Sequence, residues 1–150
     1  MATTYPVNDC LSGLQTKLAE LVAASVVREV VERPVNPLTE NNTPIIGMLA
    51  HRYDRRGGPV AERDWVVDVE MALVTRRGDI AAAGGDSIHT MVGQVNAKLE
   101  AWEATDGPGG VIENYRINVW YHAKARNPEV PVGAVFSFEL RLEGPLKQTS

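Results

Sequence analysis

Asp64, Asp68 and Glu70 are the residues whose types and spacing first invite a chemical reading. Asp68 and Glu70 stand two apart, so on a strand they share one face, within reach of each other as a general acid and base must be. Catalysis also needs surroundings that shift carboxylate pKa values, and a flat polar face with Arg116 or Arg141 opposite supplies none. The pair is therefore read as a solvated strand face. His51, His89 and His122 fall on three separate elements without the four-residue spacing of a helical zinc pair, and the single cysteine, Cys10, adds no thiolate cluster. Ser12, Ser25, Ser87 and Ser137 lack the surroundings of a nucleophile elbow, and Cys10 has no local His. Gly78 to Gly85 leads from a strand towards a helix as a phosphate loop would, but has neither the Lys-Ser/Thr ending nor the G-x-G-x-x-G fingerprint. It is read as a flexible connection. The expectation is no catalytic residue, no cofactor and no metal.

Arginines offer a different chemistry. Arg52, Arg55 and Arg56, with Arg63 nearby, gather at one place in the chain, and Arg76 and Arg77 mark the other end of the same strand. Arg116, Lys124 and Arg126 add positive charge further on. Such clusters protect sheet edges and keep a surface soluble, or they dock an acidic partner or passing DNA. Asp54, Glu62 and Asp64 are interspersed with the first cluster, which favours a protein partner over a phosphate backbone. The candidate interaction residues are thus Arg52, Arg55, Arg56, Arg63, Asp68, Glu70, Arg76 and Arg77.

The elements that position these residues follow from hydrophobic periodicity. Leu11, Leu14, Leu18, Leu21 and Val22 recur at helical spacing, with Asn8 or Asp9 suited to capping the helix start. The β-branched run Val26 to Val31 favours a strand, although a helix continuing to Glu32 is also open, and Pro34 and Pro37 stop either. Ile45 to Tyr53 reads as an extended segment. Gly57-Gly58-Pro59 is the connector to the clearest strand, in which Trp65, Val67, Val69, Met71 and Leu73 face the core and Asp68, Glu70 and Arg76 face away. The two segments form a long hairpin with a mobile tip. Asp86 or Ser87 caps a second helix marked by Ile88, Met91, Val92, Val95, Leu99 and Trp102, ended by Asp106 to Gly110. Two strands follow, alternating through Tyr115 to His122 and Phe136 to Glu143, joined by a turn at Arg126 to Pro131. Residues 145–150 read as a short tail. The expected fold is α+β: a mainly antiparallel sheet of about five strands with two amphipathic helices on one face. The other face carries Asp68, Glu70, Glu139, Arg141, Arg116 and Asn118.

Bulk properties agree with one folded unit over residues 1–150. At 150 residues, with 44% hydrophobic and 23% charged residues, the chain has an ordinary globular composition. A net charge of −4 argues against a dedicated nucleic-acid binder. Leu18 to Val31 is the most apolar stretch, but Glu20, Arg28 and Glu29 interrupt it and it is too short to span a bilayer. No basic segment followed by an apolar core stands at the start, so no signal peptide is expected. A lone cysteine fits the cytoplasm.

The order of elements resembles the phage tail-terminator family, also described as minor tail or tail-completion proteins. The resemblance runs from the Leu11–Val22 helix through Val30 to Val35 and Pro44 to Ile46. It continues in the strand Trp65–Thr75, the helix Asp86–Trp102 and the paired strands Val111–Ala125 and Ala134–Gly144. It lies in layout across nearly the whole chain and in no invariant motif. It implies a structural virion protein without cofactor, assembled in the host cytoplasm as a ring, commonly hexameric, on the last ring of tail-tube protein. The ring ends tube growth, meets the neck or head-completion proteins, and lets DNA pass through its lumen. Another head–tail joining or tube-like subunit would share this layout. A different class, a small enzyme converging on Asp68, Glu70 and His122, and duplex DNA binding through Arg52, Arg55 and Arg56 are the remaining readings.

Overall fold

Alternating hydrophobicity builds a five-stranded sheet in the computed structural model, which describes residues 2–4, 6–56, 64–82, 88–103, 110–120, 129–142 and 147–149. The elements in chain order are β1 (Ala2–Thr4), α1 (Pro6–Ala23), β2 (Glu29–Val31), β3 (Ile45–Arg56), β4 (Asp64–Arg76), α2 (Arg77–Ala82), α3 (Ile88–Ala101), β5 (Gly110–Trp120), β6 (Pro131–Leu142) and β7 (Lys147–Thr149). The main sheet has the order β2-β3-β4-β6-β5, and β1 with β7 makes a separate two-stranded sheet. The fold is α+β, as the periodicity predicts. One pairing is parallel, β2 with β3, because residues 32–44 carry the chain back to the same end of the sheet before β3 begins. The other main-sheet pairs are antiparallel.

One face of the sheet is buried under helices. Leu14, Leu18 and Leu21 of α1 and Ile88, Val95 and Leu99 of α3, followed by Trp102, form one core with Val67, Val69, Met71 and Leu73 of β4 and Phe136, Phe138 and Leu140 of β6. Fully burying a side chain of this size stabilises by about 1.5–3 kcal/mol. Glu20 on α1 accepts from Lys17 and is bridged at 3.5 Å by Lys98 of α3. The Lys17 hydrogen bond, aided by the charge of both lysines, holds the Glu20 carboxyl below its usual range against some desolvation.

Four details differ from the sequence reading. Helix α1 begins at Pro6, before Asn8 and Asp9, since a proline lacks only an amide that the first turn leaves unbonded anyway. The run Val26–Val31 is strand only over Glu29–Val31, because helix α1 ends in a Schellman turn that uses the preceding residues. Val26 N–H donates to Leu21 O at 2.9 Å and Ser25 N–H to Val22 O at 3.0 Å, with Ser25 at φ 60° in the glycine-favouring region. Residues Arg77–Ala82 form helix α2 with Asp79 in its first turn, where the sequence suggested flexible connection from Gly78. Lys147–Thr149, read as a tail, pairs antiparallel with Ala2–Thr4. The predicted Asp86 or Ser87 cap, the Asp106–Gly109 stop, the hairpin tip and the turn at residues 126–128 lie outside the described residues.

Candidate functional site

The sheet face away from the helices carries most of the residues singled out above, and the register places them in rows across the strands. Arg52 of β3, Asp68 of β4, Glu139 of β6 and Glu113 of β5 form one row. Leu49, Glu70, Ser137 and Arg116 form the next. Arg141 lies between Val66 and Val111 in a third. Asp68 and Glu70 therefore share the open face, as predicted, but neither has Arg116 or Arg141 directly opposite. Three carboxylates stand in line instead, an arrangement that cross-strand repulsion disfavours. Arg52 flanks the row, and Arg141 Nη1 lies 3.8 Å from Glu113 Oε1 with both side chains nearly half exposed. An exposed pair of that kind contributes about 0–1 kcal/mol.

Two β-bulges set these rows. One falls between Ala50 and Arg52 and brings Arg52 onto the open face opposite Asp68. The other falls between Glu113 and Arg116, where Asn114 takes φ 52°, and it puts Glu113 and Tyr115 on opposite faces despite their even spacing. Tyr115 packs into the core edge-on to Phe138, ring centroids 6.2 Å apart, and donates its hydroxyl to Asn96 Oδ1 at 2.9 Å.

Only part of this face is polar. At the β3 start, Val35, Ile45 and Val74 form a second small core with Val31, Ala72 and Trp120 packed against it. The loop before β3 lies so close here that a Cβ on Gly47 would stand 2.5 Å from the Arg33 carbonyl oxygen.

The other candidate arginines part company. Arg55 and Arg56 lie on β3, in register with Trp65 and Asp64, and Arg63 falls outside the described residues, as does His122. Arg76 is not a free docking charge. Its Nη2 donates to the Glu40 carbonyl at 2.9 Å, and the Arg77 amide donates to Val130 O at 3.1 Å. Both residues are half-buried where α2 begins.

A cleft at that end escaped the sequence reading. Arg28, Leu38, Glu40, Asn41, Thr43, Arg76, Gly78, Asp79 and Glu129 enclose about 470 Å³. Its members come from four stretches of chain that only the fold brings together, and the polar run Asn41-Asn42-Thr43 before Pro44 was its sole sequence signal. Among the described residues, no three or more His, Cys, Asp or Glu side chains gather as a metal ion would need, and no helix is long and apolar enough to cross a membrane.

The fold and its surfaces thus define an α+β protein with one helix-covered sheet face and one open, charged face. No family model matches the sequence, and no curated protein matches it significantly.

Proposed function

We propose that this chain is a structural subunit that assembles with its own copies into a ring, and that the ring is the tail terminator of a phage tail. The observation that carries the assembly reading is edge strand β5. It covers Gly110–Trp120, pairs only with β6 among the described residues, and exposes Val111 (49%) and Ile117 (37%). An exposed edge with apolar side chains is a template for pairing with another chain. The bulge at Asn114 divides it, so residues 116–120 offer the continuous part. The opposite edge, β2, is only three residues long and pairs in parallel. Unlike edges suit a head-to-tail contact, the heterologous kind that closes rings. The tail-terminator assignment rests further on the resemblance in layout. In that setting the Arg52–Asp68–Glu139–Glu113 face is a lumen or inter-subunit surface, and tail-tube and neck proteins are the partners.

Light scattering coupled to size-exclusion chromatography, together with capping of purified tail tubes, tests the proposal. A ring in solution or on the tube is expected, and a strict monomer that also fails to cap tubes overturns it. Electron microscopy of particles lacking the protein separates the related roles. Overlong tails are the expected defect, and full heads without tails would make it a connector instead.

A further inference from the structure

Strand β5 has one half of its outer edge closed by a side chain of its own chain. In an antiparallel pair, alternate residues turn their amides away from the partner strand. Ile112, opposite Leu140 of β6, gives its amide to such a side chain: Ile112 N–H donates to Glu103 Oε2 at 3.0 Å. Glu103 follows fully buried Trp102 just past the end of α3, so the core fixes the backbone from which its exposed side chain reaches the edge.

This contact changes what the edge offers to another strand. An incoming strand would have to present a carbonyl oxygen to the Ile112 amide, and it would find a carboxylate already there. A hydrogen bond to an ionised acceptor is roughly twice as strong as one between neutral groups, so Glu103 holds the amide against an incoming carbonyl. Two residues on, the ladder is broken again: Asn114 takes φ 52° and the register shifts between Glu113 and Arg116. Residues 116–120 meet neither obstacle. They run in unbroken register with Ser137 to Gly133, and Ile117 is exposed among them.

We infer that Glu103 guards the edge of β5, closing residues 110–112 to strand addition and confining the joint with a second copy to residues 116–120. The guard presupposes the assembly reading above and gives it a boundary and a control. Ile117 is then the apolar anchor of the joint, while Val111, although exposed, lies in the guarded half. Withdrawing the carboxylate opens a longer edge.

Sedimentation equilibrium and amide hydrogen exchange on the full chain test this together. Glu103→Ala should speed exchange of the Ile112 amide relative to that of Ile117, and should tighten self-association, each by about threefold or more. Glu103→Gln keeps an oxygen that accepts from Ile112 without the charge, and should fall between wild type and Glu103→Ala in both measurements. Ile117→Lys alone should weaken association by about tenfold or more, and Val111→Lys alone by less than about twofold. The guard is overturned, with the assembly reading left standing, if the wild type associates and Glu103→Ala associates no more tightly. An Ile112 amide that exchanges alike in wild type and Glu103→Ala has the same consequence. Val111→Lys weakening association as much as Ile117→Lys overturns the boundary. If wild type and Glu103→Ala both stay monomeric, the assembly reading falls and the guard falls with it.

Discussion

Individual residues in this protein are set by what surrounds them, and one half-buried and one buried hydroxyl show opposite cases. Tyr115 has a partner in Asn96, and burial, with the charge of Glu100 adding to it, pushes its phenol up to about 12 from an ordinary value near 10. A folded-state pKa raised above the unfolded one gives stability that is complete below about pH 10 and is lost as pH rises towards 12. The wild type should therefore lose thermal stability between pH 10 and 12 more steeply than Tyr115→Phe, measured by circular dichroism melts across that range. Equal slopes would show that Tyr115 does not titrate this way. Thr75 is the converse: it is fully buried on the helix side of β4, and its Oγ1 has no hydrogen-bond partner among the described residues. Replacing an unsatisfied hydroxyl by a methyl of the same shape removes a desolvation penalty, so Thr75→Val should stabilise by about 1 kcal/mol in urea unfolding. A destabilised variant would mean that the hydroxyl is bonded after all.

At the scale of elements, helix α1 ends on an exposed serine where a glycine would fit better. Left-handed backbone costs a non-glycine residue about 1–2 kcal/mol, and glycine's greater loss of freedom on folding returns about 0.5–1 kcal/mol of that. Ser25→Gly should accordingly stabilise by roughly 0.5–1 kcal/mol, and a loss of stability would show the turn is held by the Ser25 side chain. The same scale shows what the sequence discloses. Val67, Val69, Met71 and Leu73 announced their face by strict alternation, and Leu14, Leu18, Val95 and Leu99 announced theirs by helical spacing; all are buried as read. The bulges at His51 and Asn114 were invisible, because one inserted residue flips everything beyond it and leaves no mark on composition. Counting alternately back from Tyr115 would send Glu113 to the helix side, whereas it stands opposite Glu139 on the open face. Helix α2 was missed because six residues containing Gly78 are too few for a period to show. Of the candidate site, Arg52, Asp68 and Glu70 could be placed on the open face from parity only as far as the bulges allowed. The cleft showed in the sequence only as the polar run before Pro44, since Arg28, Glu40, Arg76 and Glu129 meet only through tertiary packing.

For the molecule as a whole, the sheet's two faces and two edges are unequal, and that asymmetry separates stability from assembly. The helix-covered face holds the core residues Leu14, Met71, Phe136 and Trp102, so changes there act on folding. Edge strand β5 contributes exposed apolar surface at Val111 and Ile117, whose substitution removes little packing from the chain itself. A lysine on an edge strand is the common natural guard against strand addition, since pairing would bury its charge or crowd the incoming chain. The double variant Val111→Lys, Ile117→Lys should therefore keep its unfolding free energy within about 1 kcal/mol of wild type, as substitutions at exposed positions usually do. Its self-association should fall at least tenfold in sedimentation equilibrium. Reversal of the open-face charge through Arg116→Glu should weaken assembly less, and its effect should fade as salt screens the face over about 8–10 Å. If the lysine variant assembles as wild type does while Arg116→Glu abolishes association, the contact is made by the charged face. Strand β5 would then be an edge guarded by its own bulge rather than the joint between copies.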